Sequence, residues 1–275
     1  MSVRLRVAHD TCAPHRWLSL VAVIALSGCI LPDEASPRVA ATLQGASQYN
    51  HRGMVQNEHE VVQAELRVDL PTVDDGNIRI ASFGNMDLRN DTGDAWFPNG
   101  HGGKFSEVDL MAAYGRRIGA LSATVGATSY ILPNGTEFPN GERGTTTEFF
   151  LNLTGEVLGI TTEAELHYDW DEVDGYYAKL GARKIFRRNR LAFELGAHVG
   201  YSDDNHSEWT YGLKEAGLAD LRGTAKVNFA FDDRTDLFAR LGASTILDSD
   251  LRDWFDLIGI NENNIWLELG VDWSF

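Results

Sequence analysis

Apolar and polar residues alternate one by one along most of this chain. In its last stretch Ile265, Leu267, Leu269, Val271, Trp273 and Phe275 interleave with Trp266, Glu268, Gly270, Asp272 and Ser274. Successive side chains of a strand point to opposite faces, so the first set shares one face and the second set the other. The same split places Val62, Ala64, Leu66, Val68 and Leu70 against Gln63, Glu65, Arg67 and Asp69, and Ala164, Leu166, Tyr168 and Trp170 against Glu163, Glu165, His167 and Asp169. Twelve segments of this kind are bounded by Gly, Asn, Asp or Pro: 38–49, 60–70, 77–88, 107–117, 121–132, 147–157, 160–170, 175–186, 190–201, 219–231, 235–247 and 263–275. An apolar face suits lipid and a charged face suits a wet interior. The pattern therefore predicts an all-β fold, a single transmembrane antiparallel up-and-down β-barrel of about 12 strands over residues 38–275.

The connections sort by length. Those at 71–76, 118–120, 158–159, 187–189 and 232–234 are tight, whereas 50–59, 89–106, 133–146, 202–218 and 248–262 are long, and only 171–174 breaks the alternation. A barrel with both termini in the periplasm has this signature of short inner turns and long outer loops. No run of about 20 apolar residues occurs, which excludes a helical membrane protein. Tyr49, Tyr114, Tyr168, Trp170, Tyr201, Trp273 and Phe275 fall near segment ends, where an interfacial girdle is expected.

Residues 1–28 change the picture from a β protein to an exported one. Arg4, Arg6, His15 and Arg16 precede an apolar run over 17–26 that is too short to span a bilayer, the form of a secretory signal peptide. Leu26-Ser27-Gly28-Cys29 follows, a lipobox-like sequence in which Cys29 would be lipidated after cleavage; ordinary cleavage near Ala35 is the alternative. The only other cysteine is Cys12, so the body has no disulfide and no thiol site. Formal charge is −16, and removal of Arg4, Arg6, Arg16 and Asp10 with the leader leaves −18. Such a chain repels nucleic acid. Mean hydropathy is −0.24, which an alternation between lipid and lumen accommodates.

From Tyr49-Asn50-His51-Arg52-Gly53 at the end of the first segment, through Thr147-Glu148-Phe149-Phe150, Tyr168-Asp169 and Gly175-Tyr176-Tyr177, to the terminal aromatic, residues 40–275 resemble the TorF-like porin family of exported proteobacterial proteins. Ser82-Phe83-Gly84-Asn85 departs from it where a Trp-bearing motif is expected, as does the lipobox. The resemblance implies a small outer-membrane transport barrel and supplies no catalytic residues.

The inward face defines the candidate chemistry. Acidic Glu65, Asp69, Asp109, Glu148, Glu163, Glu165, Asp169, Glu194, Glu268 and Asp272 are expected to face basic Arg67, Arg79, Arg117, Lys179, Arg183, Lys226 and Arg240, with His167 among them. These residues either line a narrow aqueous path for small solutes that prefers cations, or pair across the lumen and fill it. The function this indicates is passive diffusion through a porin-like channel, against a non-conducting envelope-interaction barrel. Expected partners are outer-membrane lipids, lipopolysaccharide and the barrel-assembly machinery, which would read the C-terminal strand and Phe275.

An enzymatic alternative rests on Asp204-x-His206 in a solvated loop, half of an omptin-like protease site, with Asp248-x-Asp250 as a conceivable partner. An outer-membrane phospholipase site is not formed, because His206 and Ser207 are adjacent and point oppositely. No zinc spacing, nucleotide fingerprint or P-loop is present, so no metal or cofactor is expected.

Overall fold

In the computed structural model, residues 36–90, 101–134 and 144–275 are described. Cys29 and the leader lie outside them, as do residues 91–100 and 135–143. The strands are β1 (Arg38–Ala46), β2 (Tyr49–His51), β3 (Met54–Asn57), β4 (Val61–Pro71), β5 (Gly76–Asp87), β6 (Lys104–Ile118), β7 (Leu121–Ile131), β8 (Thr145–Val157), β9 (Ile160–Asp169), β10 (Gly175–Arg188), β11 (Leu191–Ser202), β12 (Gly217–Ala230), β13 (Thr235–Ile246) and β14 (Asn263–Ser274). Two helices interrupt them, α1 (Asp204–Tyr211) and α2 (Ser249–Ile258).

β1 and β4 to β14 form a closed antiparallel barrel of twelve strands, each paired with its neighbours in sequence. Closure is made by β1, which pairs with β14 from Ala40↔Ser274 to Ala46↔Glu268 and with β4 from Arg38↔Asp69 to Ala46↔Val61. The predicted alternation holds around the whole wall. Leu66, Leu151, Leu180, Leu195, Leu241 and Leu269 stand exposed on the outer face, while their neighbours Glu65, Asn152, Lys179, Glu194, Arg240 and Glu268 turn inward, where Asn152 bonds Glu165 and Arg240 bonds Glu268. The twelve barrel strands match the twelve sequence segments to within a few residues at either end.

Two features were not foreseen. The connection between β1 and β4 is not an open loop but a hairpin of β2 and β3, turned at Arg52 and Gly53. Both residues have positive φ, 48° and 80°, as a two-residue type I′ hairpin turn requires. Arginine in this left-handed region costs about 1–2 kcal/mol that glycine or asparagine would largely avoid. At Gly53 the requirement is also steric, since a Cβ would lie 2.5 Å from Asp220 Cβ on the barrel wall. The hairpin tip thus presses into the barrel. Tyr49 is drawn inward with it, its ring 6.3 Å from that of Phe83, and so is not a girdle residue.

The long connections 202–218 and 248–262 fold into the helices. Asp203 caps α1 by accepting from the His206 amide, and Asp248 caps α2 by accepting from the amides of Asp250 and Leu251. Gly212 and Gly259 end them in the left-handed conformation. The apolar face of α2 carries Leu251 and Phe255 into a small core with Tyr211, Ala219 and Ile246, against which Met54, Leu213, Trp254 and Ile260 pack. Hairpin, helices and loop-end wall are one cap over the barrel mouth.

The outward face sets a clear test. Leu151→Arg, in the middle of β8, is expected to cost about 2–4 kcal/mol of folding stability in lipid vesicles, while Asn152→Arg beside it costs far less. Urea titration of the two variants in vesicles, read by gel mobility without heating, measures both.

Candidate functional site: the charged lumen and its plug

The hairpin delivers Arg52 into the lumen. Its Nη1 and Nη2 donate to the two oxygens of Glu148 on β8, at 2.6 and 2.8 Å. Glu148 is almost wholly buried, and it also accepts from Tyr130 Oη at 2.9 Å and meets His167 Nδ1 at 3.2 Å. The Arg52 guanidinium lies 4.7 Å from the centre of the Tyr177 ring, and Tyr177 is itself held by its hydroxyl donating to Asp220 at 2.8 Å. Tyr211 of α1 donates to the Arg52 carbonyl at 2.8 Å, which clamps the turn from above.

His206 completes the cluster, and its surroundings reverse the expectation of a solvated loop residue. It is 2% exposed. Arg52 Nη1 lies 2.6 Å from its Nε2, and since arginine only donates, Nε2 must accept. The proton therefore sits on Nδ1 and is donated to Ser202 Oγ at 2.8 Å, while that hydroxyl donates to the Asp203 carbonyl at 3.2 Å. Neither nitrogen is left to act as a base. Asp203 and Asp248 are occupied as helix caps and Asp204 is exposed, so the omptin-like constellation does not assemble.

Burial holds the His206 pKa well below its ordinary value, with Arg52 adding to the effect. His51, on β2, is lowered to about 3 by burial and then by Arg52. For Arg52 burial alone would lower the pKa, but Glu148 outweighs it and the net shift is upward.

From Glu148 a chain of charges runs toward the short-turn end. His167 Nε2 lies 3.2 Å from Glu165, which accepts from Asn152 at 2.7 Å and pairs with Lys179 at 3.0 Å. Lys179 also reaches Glu163 at 3.5 Å, and Arg183 faces Glu194 at 3.8 Å. On the opposite wall Arg240 pairs with Glu268 at 2.6 Å and Lys226 with Asp272 at 3.2 Å. At the short-turn end Asp69 gathers Arg79 at 2.8 Å and Arg67 at 3.5 Å, and Arg67 also faces Glu65 at 3.8 Å.

Three candidates stand apart from these pairs. Asp169 is buried and accepts from Thr146 and from the amides of Asp171 and Val173, so it holds a loop-end turn. Arg117 is exposed at the short-turn end, where it donates to the Gly119 carbonyl. Asp109 lies in the wall beside Glu107 with one carboxylate oxygen lacking a partner.

Space is distributed unequally along the axis. Toward the short-turn end, cavities of about 560 and 420 Å³ lie within the barrel, lined by residues such as Glu65, Arg79, Asp109, Glu163 and Arg183 in one and Thr42, Gln63, Lys226, Arg240 and Asp272 in the other. Toward the loops the space falls to about 110 Å³, lined by four carboxylates, Asp87, Glu107, Glu148 and Asp169, and one guanidinium, Arg52. Tyr130 lines both sides of the narrowing. Among the described residues no group of His, Cys, Asp or Glu is arranged to hold a metal ion.

Sequence reasoning missed the inward Asp87, Glu107, Asp220 and Arg222, and gave Arg52 no role. Asp87 and Asp220 were findable, since each keeps the inward parity of its strand. The significance of Arg52 was not, because its partners Glu148 and His206 lie 96 and 154 residues away.

Two neutral buried histidines make the plug sensitive to acid. An exposed histidine takes up a proton near pH 6.5, whereas the buried ones resist it until far lower pH, so the closed plug is fully favoured above pH 6.5 and loses stability as pH falls toward 3. At pH 5 His51 contributes up to about 2 kcal/mol toward opening, and His206 acts in the same direction. Hydrogen exchange over residues 49–57, corrected for intrinsic rates, is expected to accelerate between pH 7 and 5, and His51→Gln/His206→Gln should flatten that dependence.

No protein-family model matches the chain, and no curated protein sequence matches it. Among solved structures, the NanC porin superposes with a TM-score of 0.50 at 10% identity, covering 85% of this chain and 98% of that one. The KdgM porin gives 0.46 at 9% identity, covering 86% and 99%. Outer membrane phospholipase A from Escherichia coli gives 0.44 at 11%, covering 86% and 92%. At such identities the likeness to the NanC porin shows a shared barrel fold.

Proposed function

We propose that this chain is a porin-like channel of the Gram-negative outer membrane, through which small solutes, cations preferentially, diffuse passively. The observation that carries the reading is the inner lumen: cavities of about 560 and 420 Å³ lined by charged side chains drawn from most of the barrel strands. A barrel built only as a scaffold would fill that volume with side chains. The apolar outer face, the signal-like leader and the resemblance to TorF-like porins support the location. The excess of inward carboxylates supports the cation preference, because a desolvated cation is stabilised where carboxylates are only partly neutralised. Catalysis has no support from His206, whose nitrogens are both engaged. Cys29 as a lipid attachment point, Phe275 as an assembly signal and lipopolysaccharide as a loop partner belong to the same reading.

A second reading is favoured by one observation, the hairpin plug that narrows the loop end around Arg52. On that reading the barrel is closed at rest and acts through its outer surface. Conductance separates the two. Single-channel recording in a planar bilayer is expected to show discrete steps with a cation-selective reversal potential, and Glu65→Gln/Glu163→Gln/Asp272→Asn should move that potential toward zero. A folded barrel that never conducts, even with Arg52 replaced, would leave the scaffold reading.

A further inference from the structure

Apart from His206 on α1, the groups that receive Arg52 stand on the barrel wall and not on the hairpin. Glu148 is fixed by Tyr130 Oη at 2.9 Å and by His167 Nδ1 at 3.2 Å, and Tyr177 is fixed by Asp220 at 2.8 Å. These residues stand on β7, β8, β9, β10 and β12, held by the register of the barrel itself. A fork of two carboxylate oxygens beside an aromatic face is the geometry that recognises a planar, delocalised cation. Arg52 fills it, with a bidentate contact at 2.6 and 2.8 Å and its guanidinium 4.7 Å from the ring centre.

Two further observations distinguish this from an ordinary ion pair. The occupant is carried by a strained turn position where glycine or asparagine would serve the backbone better, so its side chain, not its conformation, suits it to the place. The small loop-end cavity is also lined by both Arg52 and Glu148, so the carboxylate and its occupant border open space.

We propose that Glu148, Tyr177 and Tyr130 form a binding site for a small guanidinium-bearing solute, and that Arg52 occupies this site in cis as an internal competitor. A solute that takes the place of Arg52 releases the hairpin and widens the narrow part of the lumen. The binding site stands on the geometry alone, while the widening rests on the channel reading above.

The test uses methylguanidinium as the probe and the full mature chain in detergent micelles, with folding verified by gel mobility before and after heating. By isothermal titration, Arg52→Ala is expected to bind methylguanidinium at least about tenfold more tightly than either the wild type, whose site is filled, or Arg52→Ala/Glu148→Gln. Methylammonium should bind the Arg52→Ala protein more weakly than methylguanidinium. Arg52→Gln serves as the second variant if Arg52→Ala does not fold; failure of both to fold would mean that the site does not exist without its occupant and would overturn the proposal. Equal binding with and without the Glu148 carboxylate, or equal binding of the two cations, overturns it too. In planar bilayers Arg52→Ala should conduct more than the wild type, and methylguanidinium added on the loop side should bind it and change the current. Binding in micelles without any current would uphold the site and refute the channel, whereas current without binding would do the reverse.

Discussion

A backbone amide inside a hydrocarbon layer has no water to turn to, so every one must find its partner within the protein. The pairing of β1 with β14 meets that demand, because it removes the two free edges that a twelve-stranded sheet would otherwise present. The remaining features follow from closure. A closed sheet has an outside and an inside, and the period of two sends apolar side chains to one and charged side chains to the other. Once charges are committed to the interior they must be paired or wetted, and the lumen does both: pairs such as Arg240 with Glu268 along the wall, and open volume toward the short-turn end.

The loop end is ordered by a different economy of forces. There Tyr211, Leu251 and Phe255 of the helices pack with Ala219 and Ile246 at the ends of β12 and β13, and Met54 of the β2–β3 hairpin packs against this core. Burying the Arg52 guanidinium would be costly alone. It is tolerated because Glu148, Tyr177 and His206 are already in place around it, and because His206 stays neutral and offers a lone pair rather than a second positive charge.

The strands were legible because alternation is a local property: a dozen residues such as those from Asn263 to Ser274 display it whole. The inward residues were legible for the same reason, which is why Glu65, Lys179 and Arg240 lie where parity sets them. The cap was less so. Its helices do carry signals, Asp203 and Asp248 at their starts, Gly212 and Gly259 at their ends, and Leu251, Trp254, Phe255 and Ile258 at helical spacing. Reading the long connections as featureless loops passed over them. The partnership of Arg52 with Glu148 left no local trace, since it joins two distant staves through a turn whose inward direction only packing decides. His206 was misjudged on the same ground: polar neighbours in sequence made it look solvated, while in space it lies against an arginine and a serine.

The hairpin is spliced between adjacent staves of the wall, leaving Ala46 of β1 and rejoining at Val61 of β4. A plug anchored at both ends cannot be shed like a cork; whatever displaces it leaves it hanging at the rim, ready to fall back. A displaced stopper would thus be returned by its own leash, at a rate set by a short loop and not by the concentration of any partner. Closing after each opening would be a unimolecular event, because Arg52 and its partners Glu148 and His206 belong to one chain.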